Sequence, residues 1–193
     1  PPDNLPHTCP THGTTGLAPC RAGLGRADHE HDHMNAPTTD FPNPLLPQTV
    51  IATDGACLGN PGPGGWAFVM TRGSQHSHHC GGDPATTNNR MEMRAIIEAL
   101  RALHPGEPAL ILSDSELTVR GLNEWRRGWA ARGWHKADGK PVANADLWIE
   151  LSALADAAGS AVTFRHVRGH AGHPLNQEAD CLAGCAARAA AGR

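Results

Sequence analysis

The chain has 193 residues, 39% of them hydrophobic, with 16 Lys and Arg against 19 Asp and Glu. That is enough chain for one domain with a buried core, and it contains no apolar run long enough to cross a membrane. The net charge of −3 is unevenly spread: from Gln48 onward there are 14 cations and 14 anions, so the acidic excess belongs to the first 47 residues.

Residues 1–47 hold nine of the sixteen prolines and little apolar periodicity, so a disordered tail is expected there, followed by one domain over 48–193. Within the tail, His29-Glu30-His31-Asp32-His33, and Cys9, His12 and Cys20, fit either a solvated polar tract or a chelating one, since no complete zinc-ligand spacing occurs. Met34 is expected to mark the native start. No basic segment followed by an apolar stretch opens the chain, and the six cysteines have no disulfide-framework spacing, which points to a reducing, cytoplasmic compartment.

Val50-Ile51-Ala52 read as a strand that ends at the turn Gly59-Asn60-Pro61-Gly62. Alternation places Val50, Ala52 and Asp54 on one face, so a carboxylate sits among apolar neighbours; a divalent cation is one natural compensation. Trp66–Met70 and His76–Cys80 continue as a three-stranded meander, and residues 84–89 read as a loop ending in an N-cap. Arg90–Leu103 has helical periodicity with Ile96, Ala99, Leu100 and Leu103 on one stripe. Glu92 falls on that stripe, which fits either a buried partner or a first-turn acid favoured by the helix dipole.

Ala109–Leu112 is a short apolar strand of the doubly buried kind, closed by Ser113-Asp114-Ser115; Asp114 fits a helix N-cap or a site carboxylate. From Arg120 to Lys140 six cations stand against two anions, with Trp125, Trp129 and Trp134 interleaved. That pattern fits cation–π packing and equally a surface that tracks phosphates. Asn144–Ala157 reads as an amphipathic helix and Ala161–Val167 as a strand, an alternation that favours parallel pairing. Two glycines flank His170, and His173 follows on the same loop; the pair fits metal ligation or, given glycine mobility, proton transfer and product handling. An alanine-rich helix from about Leu175 carries Asp180 in its early turns.

Five ordered blocks carry a resemblance. Asp54–Trp66, Thr87-Asn88-Asn89-Arg90-Met91-Glu92, Ser113-Asp114-Ser115, Asp138–Trp148 and Val167–Pro174 with Asp180 closely resemble type 1 ribonuclease H of bacteria, over about Thr49 to Ala190. The resemblance implies an α/β, ribonuclease H-like fold: a five-stranded mixed sheet, three antiparallel then two parallel strands, with helices on both faces. It further implies that Asp54, Glu92, Asp114 and Asp180 converge on two Mg²⁺ ions, with Mn²⁺ a possible substitute, and that His170 moves a proton or helps product leave. The implied reaction is hydrolysis of the RNA strand of RNA–DNA hybrids, leaving 5′-phosphate and 3′-hydroxyl ends. By the same resemblance Cys57, Asn60, Asn88 and Asn89 approach the minor groove, and Trp125, Trp129, Arg132, Lys136 and Lys140 grip the DNA strand. Asn88 and Asn89 also fit helix capping.

The chain departs from the family at Ala130, Ala131, Ala143 and His135, where lysines are frequent, so weaker, more salt-sensitive hybrid binding is expected. Glu116 and Gln177 exchange the usual amide and acid without removing a metal ligand. A hybrid-binding module without catalysis and another carboxylate nuclease on the same fold are the rival classes. No membrane and no obligate protein partner are expected, and the chain should be a monomer.

Overall fold

The computed structural model describes residues 49–169 and 173–192. The expected tail, with its histidine tract, and the loop residue His170 lie outside them. The first strand, β1 (Thr49–Cys57), is followed by β2 (Gly62–Arg72) and β3 (Gln75–Thr86), and then by helix α1 (Asn88–Arg101). Next come β4 (Ala109–Ser113), the short helices α2 (Glu116–Arg120) and α3 (Arg126–Ala131) joined by a π-helical turn, then α4 (Ala145–Ala158), β5 (Val162–His166) and α5 (Pro174–Ala190). The sheet order is β3-β2-β1-β4-β5, with β1, β2 and β3 antiparallel in turn and β1, β4 and β5 parallel. This is the mixed sheet expected from the sequence.

Two of the boundaries that differ from the sequence reading lie next to the carboxylate Glu92. The third strand runs on through Pro84 to Thr86, where a loop was expected. Proline is tolerated there because β3 is an edge strand and its pairing with β2 is irregular between Gly62 and Gly64. The helix consequently starts earlier, with Thr87 as N-cap and Asn88 and Asn89 already helical, so neither asparagine caps it.

Alternation along β1 sends consecutive residues to opposite faces, and each face has its own core. Ile51, Phe68 and Met70 pack with Met93, Ile96, Ile97 and Leu100 of α1 and with Trp148 and Leu151 of α4. On the other face Ala67 and Cys80 meet Ala183 and Ala186 of α5. That second interface is built from small residues at close approach: a Cβ on Gly65 would lie 2.4 Å from Ala183 O and Ala187 N. The alanine run of α5 is therefore the complement of a glycine-bearing sheet face.

Where β1 begins and β2 ends, Glu107 closes the sheet's lower corner. It accepts hydrogen bonds from Thr49 Oγ1 (2.6 Å), Arg72 Nε (2.7 Å) and Nη2 (2.8 Å), and the His104 amide (3.0 Å). The Arg72 hydrogen bonds, chiefly, hold this carboxyl down at about 2, from a usual 4.5. A lowered folded-state value means that the stabilisation is complete above the usual value and is lost as pH falls towards 2. Glu107→Gln should lower Tm at pH 7 by about 2–4 °C and flatten the acid limb of a thermal-melt profile; an unchanged limb would refute the assignment.

Candidate active site

Asp54 stands on β1 beside Thr53, which pairs in parallel register with Ser113 at the end of β4. Asp114 is the next residue on that strand's course. Register therefore places two carboxylates side by side where the parallel pairing of β1 and β4 ends, on the C-terminal side of β4, where open α/β sheets present their sites. Glu92 arrives from the start of the second turn of α1, which begins at Asn88. Its approach depends on Gly55: a Cβ there would stand 2.2 Å from the Glu92 amide nitrogen and 2.4 Å from the Met91 carbonyl carbon. Only a residue without a side chain lets α1 lie on β1 this closely. A second glycine opens the far side, since a Cβ on Gly169 would stand 2.7 Å from Asp114 Oδ2.

Oxygens of Asp54, Glu92 and Asp114 all lie within 4.8 Å of one another. Asp54 is 5% and Glu92 7% exposed. Burial first, then the charges of Asp114 and Asp180, push the Asp54 carboxyl up to about 8, against a backbone hydrogen bond from Gly55 that favours the ionised form. Burial, with the charges of Asp54 and Asp114, likewise holds Glu92 well above its usual value, opposed by the Asn88 side chain and the Gly55 amide. Asp180 projects from α5 on the solvent side of the cluster; both its charge and a hydrogen bond act on Asp54. The first-turn reading of Glu92 is overturned: α1 starts at Asn88, which leaves Glu92 beyond the first turn, and its carboxyl is buried beside two other acids.

Two oxygens test whether this set fits a cation. Glu92 Oε2 and Asp114 Oδ1 are buried with no hydrogen-bond donor. Unpaired, buried, all-oxygen acceptors in a group of mutually repelling acids match a hard divalent ion, which would satisfy the lone pairs and cancel the repulsion together.

Around the carboxylates, Cys57 Sγ donates to the carbonyls of Gly62 (3.5 Å) and Thr86 (3.6 Å). Asn60 Oδ1 accepts from the Asn88 amide (3.3 Å), and Asn88 Nδ2 donates to Glu92 Oε1 (3.4 Å). Cys57, Asn60 and Asn88 are thus brought together on the rim of the acidic cluster, with Asn89 exposed beside them. His166 Nε2 lies 3.2 Å from the Asp114 carbonyl and the Val167 amide donates to Ser113 O (3.0 Å), so the chain leaving β5 runs against Ser113 and Asp114 as far as Gly169.

The tryptophan-rich segment forms a separate group. Trp129 packs edge-on against Trp148 (5.1 Å) and 5.6 Å from Trp125, and Arg120 lies 4.9 Å over Trp125. Lys136 and Lys140 face each other across a tight turn closed by Lys136 N–H to Lys140 O (2.8 Å), and Arg132 Nε donates to His135 O (3.2 Å). The six-cation patch read from the sequence is smaller than it looked. Arg126 is buried, bonded to Leu122 O, Ser152 Oγ and Asp156, and Arg120 pairs with Glu116 and Glu124. Arg127, Arg132, Lys136 and Lys140 remain exposed. Sequence reasoning assigned no role to Gly55 and read Gly169 only as a mobile flank of His170; a glycine directly beside a candidate carboxylate or histidine is the signal that points to close packing at both.

Fold and carboxylate cluster together define a class: a metal-dependent nuclease on a ribonuclease H-like sheet. The RNase H family model matches residues 47–188. The chain is similar to ribonuclease HI of Caulobacter vibrioides, 50% identical over 72% of this chain and 92% of that one, and to ribonuclease H of Cupriavidus necator, 51% identical over 72% and 94%. Among solved structures it is similar to LC9-RNase H1, a type 1 RNase H with the type 2 active-site motif, at a TM-score of 0.64, with 37% identity over 73% of this chain and 72% of that one. This chain belongs to the ribonuclease H family and is an enzyme of that family.

Proposed function

We propose that residues 48–193 form the catalytic domain of an endoribonuclease that cuts the RNA strand of RNA–DNA hybrids, leaving 5′-phosphate and 3′-hydroxyl ends, and that residues 1–47 are an appended tail. The observation that carries the reading is the group of three carboxylates within 4.8 Å, two of them with buried, unpartnered oxygens. Asp54, Glu92, Asp114 and Asp180 are the residues that would hold two divalent cations, Mg²⁺ or in its place Mn²⁺. Such a pair, when bound, activates a water and stabilises the leaving oxygen of an in-line displacement. Burial of Asp54 and Glu92 fixes their oxygens in place, and the Asn88 amide orients Glu92. His170, on the loop that begins against Asp114, takes up or returns a proton at the leaving oxygen or speeds product departure.

Selection of a hybrid rests on shape, since the shallow minor groove offers 2′-hydroxyls on one strand and deoxyribose on the other. Cys57, Asn60, Asn88 and Asn89 stand where that groove would lie against the carboxylates. Trp125, Trp129, Arg132, Lys136 and Lys140 bind the phosphates of the DNA strand. Lys136→Ala with Lys140→Ala should raise KM with kcat nearly unchanged, and lower the slope of log affinity against log salt by roughly two; a lower kcat at unchanged KM would place the lysines elsewhere. The active unit is a monomer of the cytoplasm. Among the described residues no helix is long and apolar enough to cross a membrane.

End-labelled RNA–DNA hybrid, single-stranded RNA and double-stranded DNA, each incubated with Mg²⁺ and with EDTA, test the proposal. Cutting confined to the RNA of the hybrid and abolished by EDTA is the expected result; a protein that binds hybrid but never cuts it would be a recognition module.

A further inference from the structure

Outside the carboxylate cluster, imidazoles gather on the edge of the sheet. His76 and His78 are two residues apart on β3, and Cys80, two further on, packs in the core beneath α5. Alternation therefore turns both imidazoles towards α5 as well. There both pair with one carboxylate oxygen, His76 Nε2 at 3.0 Å and His78 Nδ1 at 3.8 Å from Glu178 Oε1, and rotation of the exposed rings brings the three ligand atoms as close together as those of the carboxylate cluster. We propose that His76, His78 and Glu178 form a second metal site, for a transition-metal dication of the Zn²⁺ class, on the surface between β3 and α5.

Donor chemistry separates this site from the first. Two imidazoles and one carboxylate suit a borderline ion such as Zn²⁺, leaving a position for water, whereas an all-carboxylate set suits Mg²⁺. The ion-pair partners of Glu178 are the two imidazoles, so the carboxylate is already aimed at both. Side-chain exposures of 46%, 50% and 37% leave room for the rotations that close three ligands around one ion, and give that ion a path from solvent. The sites are also distinct in space. Cross-strand register runs Asp54 to Ala67 to Cys80, so β3 lies two strands, roughly 10 Å, from Asp54, and the histidines lie a further 7–14 Å or so along the edge. A bound ion would staple the edge strand to α5.

The test uses the full-length protein in excess Mg²⁺, titrated calorimetrically with Zn²⁺ as wild type, as His76→Ala/His78→Ala and as Glu178→Gln. The tail and the carboxylates are common to all three, so their binding cancels in the comparison. The double variant should bind one equivalent fewer, and Glu178→Gln should weaken that equivalent by at least about tenfold. Both variants should keep Mg²⁺-dependent cleavage of a hybrid, which reports that they fold. Equal stoichiometry and affinity in wild type and double variant would overturn the site. A second measurement needs no variant: Cu²⁺ added stepwise to the wild type in excess Mg²⁺, past the equivalents that the tail takes up, should broaden the amide resonances of residues 75–79, and saturation that spares them overturns the site as well.

Discussion

Asp54→Asn should abolish cleavage of an RNA–DNA hybrid, with kcat falling by roughly 10²–10³-fold or more, while raising the thermal stability of the metal-free protein. On the proposed function, the first effect follows from removing one of the oxygens that would hold divalent ions at the scissile phosphate, where each such interaction supplies several kcal/mol. The second follows from the sign of the carboxyl's shift. Its folded value is about 8 against a usual 3.8, so the folded state holds this proton more tightly than the unfolded chain does. Stability from that proton is complete below about pH 4 and is withdrawn as pH rises towards 8. Metal-free wild type should therefore melt progressively lower across that range, by an amount on the order of a few kcal/mol in stability, and the asparagine variant, with no charge to bury, should show a flatter profile. Mg²⁺ should restore much of the loss in wild type and little in the variant. A wild-type melt indifferent to both pH and Mg²⁺ would mean that the carboxylates do not strain the fold.

Gly55→Ala should be the most damaging single-atom-group addition near the site. Its Cβ would have to occupy space 2.2 Å from the Glu92 amide nitrogen and 2.8 Å from the Glu92 Cα, both backbone atoms that no rotamer change can move. Overpacking in a close-packed interior costs about 1–3 kcal/mol, and a backbone clash belongs at or beyond the upper end. Helix α1 must shift away from β1, taking Glu92 with it, so kcat should fall together with Tm. Urea unfolding and hybrid cleavage measured on the same preparation distinguish this from simple loss of folded protein: activity per folded molecule should also drop. Gly73→Ala, at a turn where an added Cβ meets nothing within 4 Å, supplies a control for stability loss at a glycine without a packing clash.

Much of the architecture was legible in one dimension because each strand and helix carried its own periodicity. The Ala109–Leu112 run announced a doubly buried strand, and β4 does lie between β1 and β5. Glu92 on an apolar stripe left open a buried acid or a first-turn acid favoured by the helix dipole, and the first holds: it is 7% exposed and lies beyond the first turn. Failures occurred where a local signal was outvoted by pairing. Pro84 reads as a loop residue, but an irregular edge strand needs no amide from it. Arg126 reads as surface charge, yet it is buried through three hydrogen-bonding partners on the π turn and α4.

By itself the sequence determined the element types, the order of the motifs and the identity of every acid and histidine that could do chemistry, because side-chain type and spacing are local properties. Their convergence was available from it only by resemblance. What the tertiary structure decided is which of them meet. Asp54 and Asp114 are neighbours because two parallel strands pair in one register, Glu92 joins them because Gly55 lets a helix touch a strand, and His76 and His78 face Glu178 because an edge strand and the last helix pack together. Each depends on contacts between residues tens of positions apart, which no window of sequence contains.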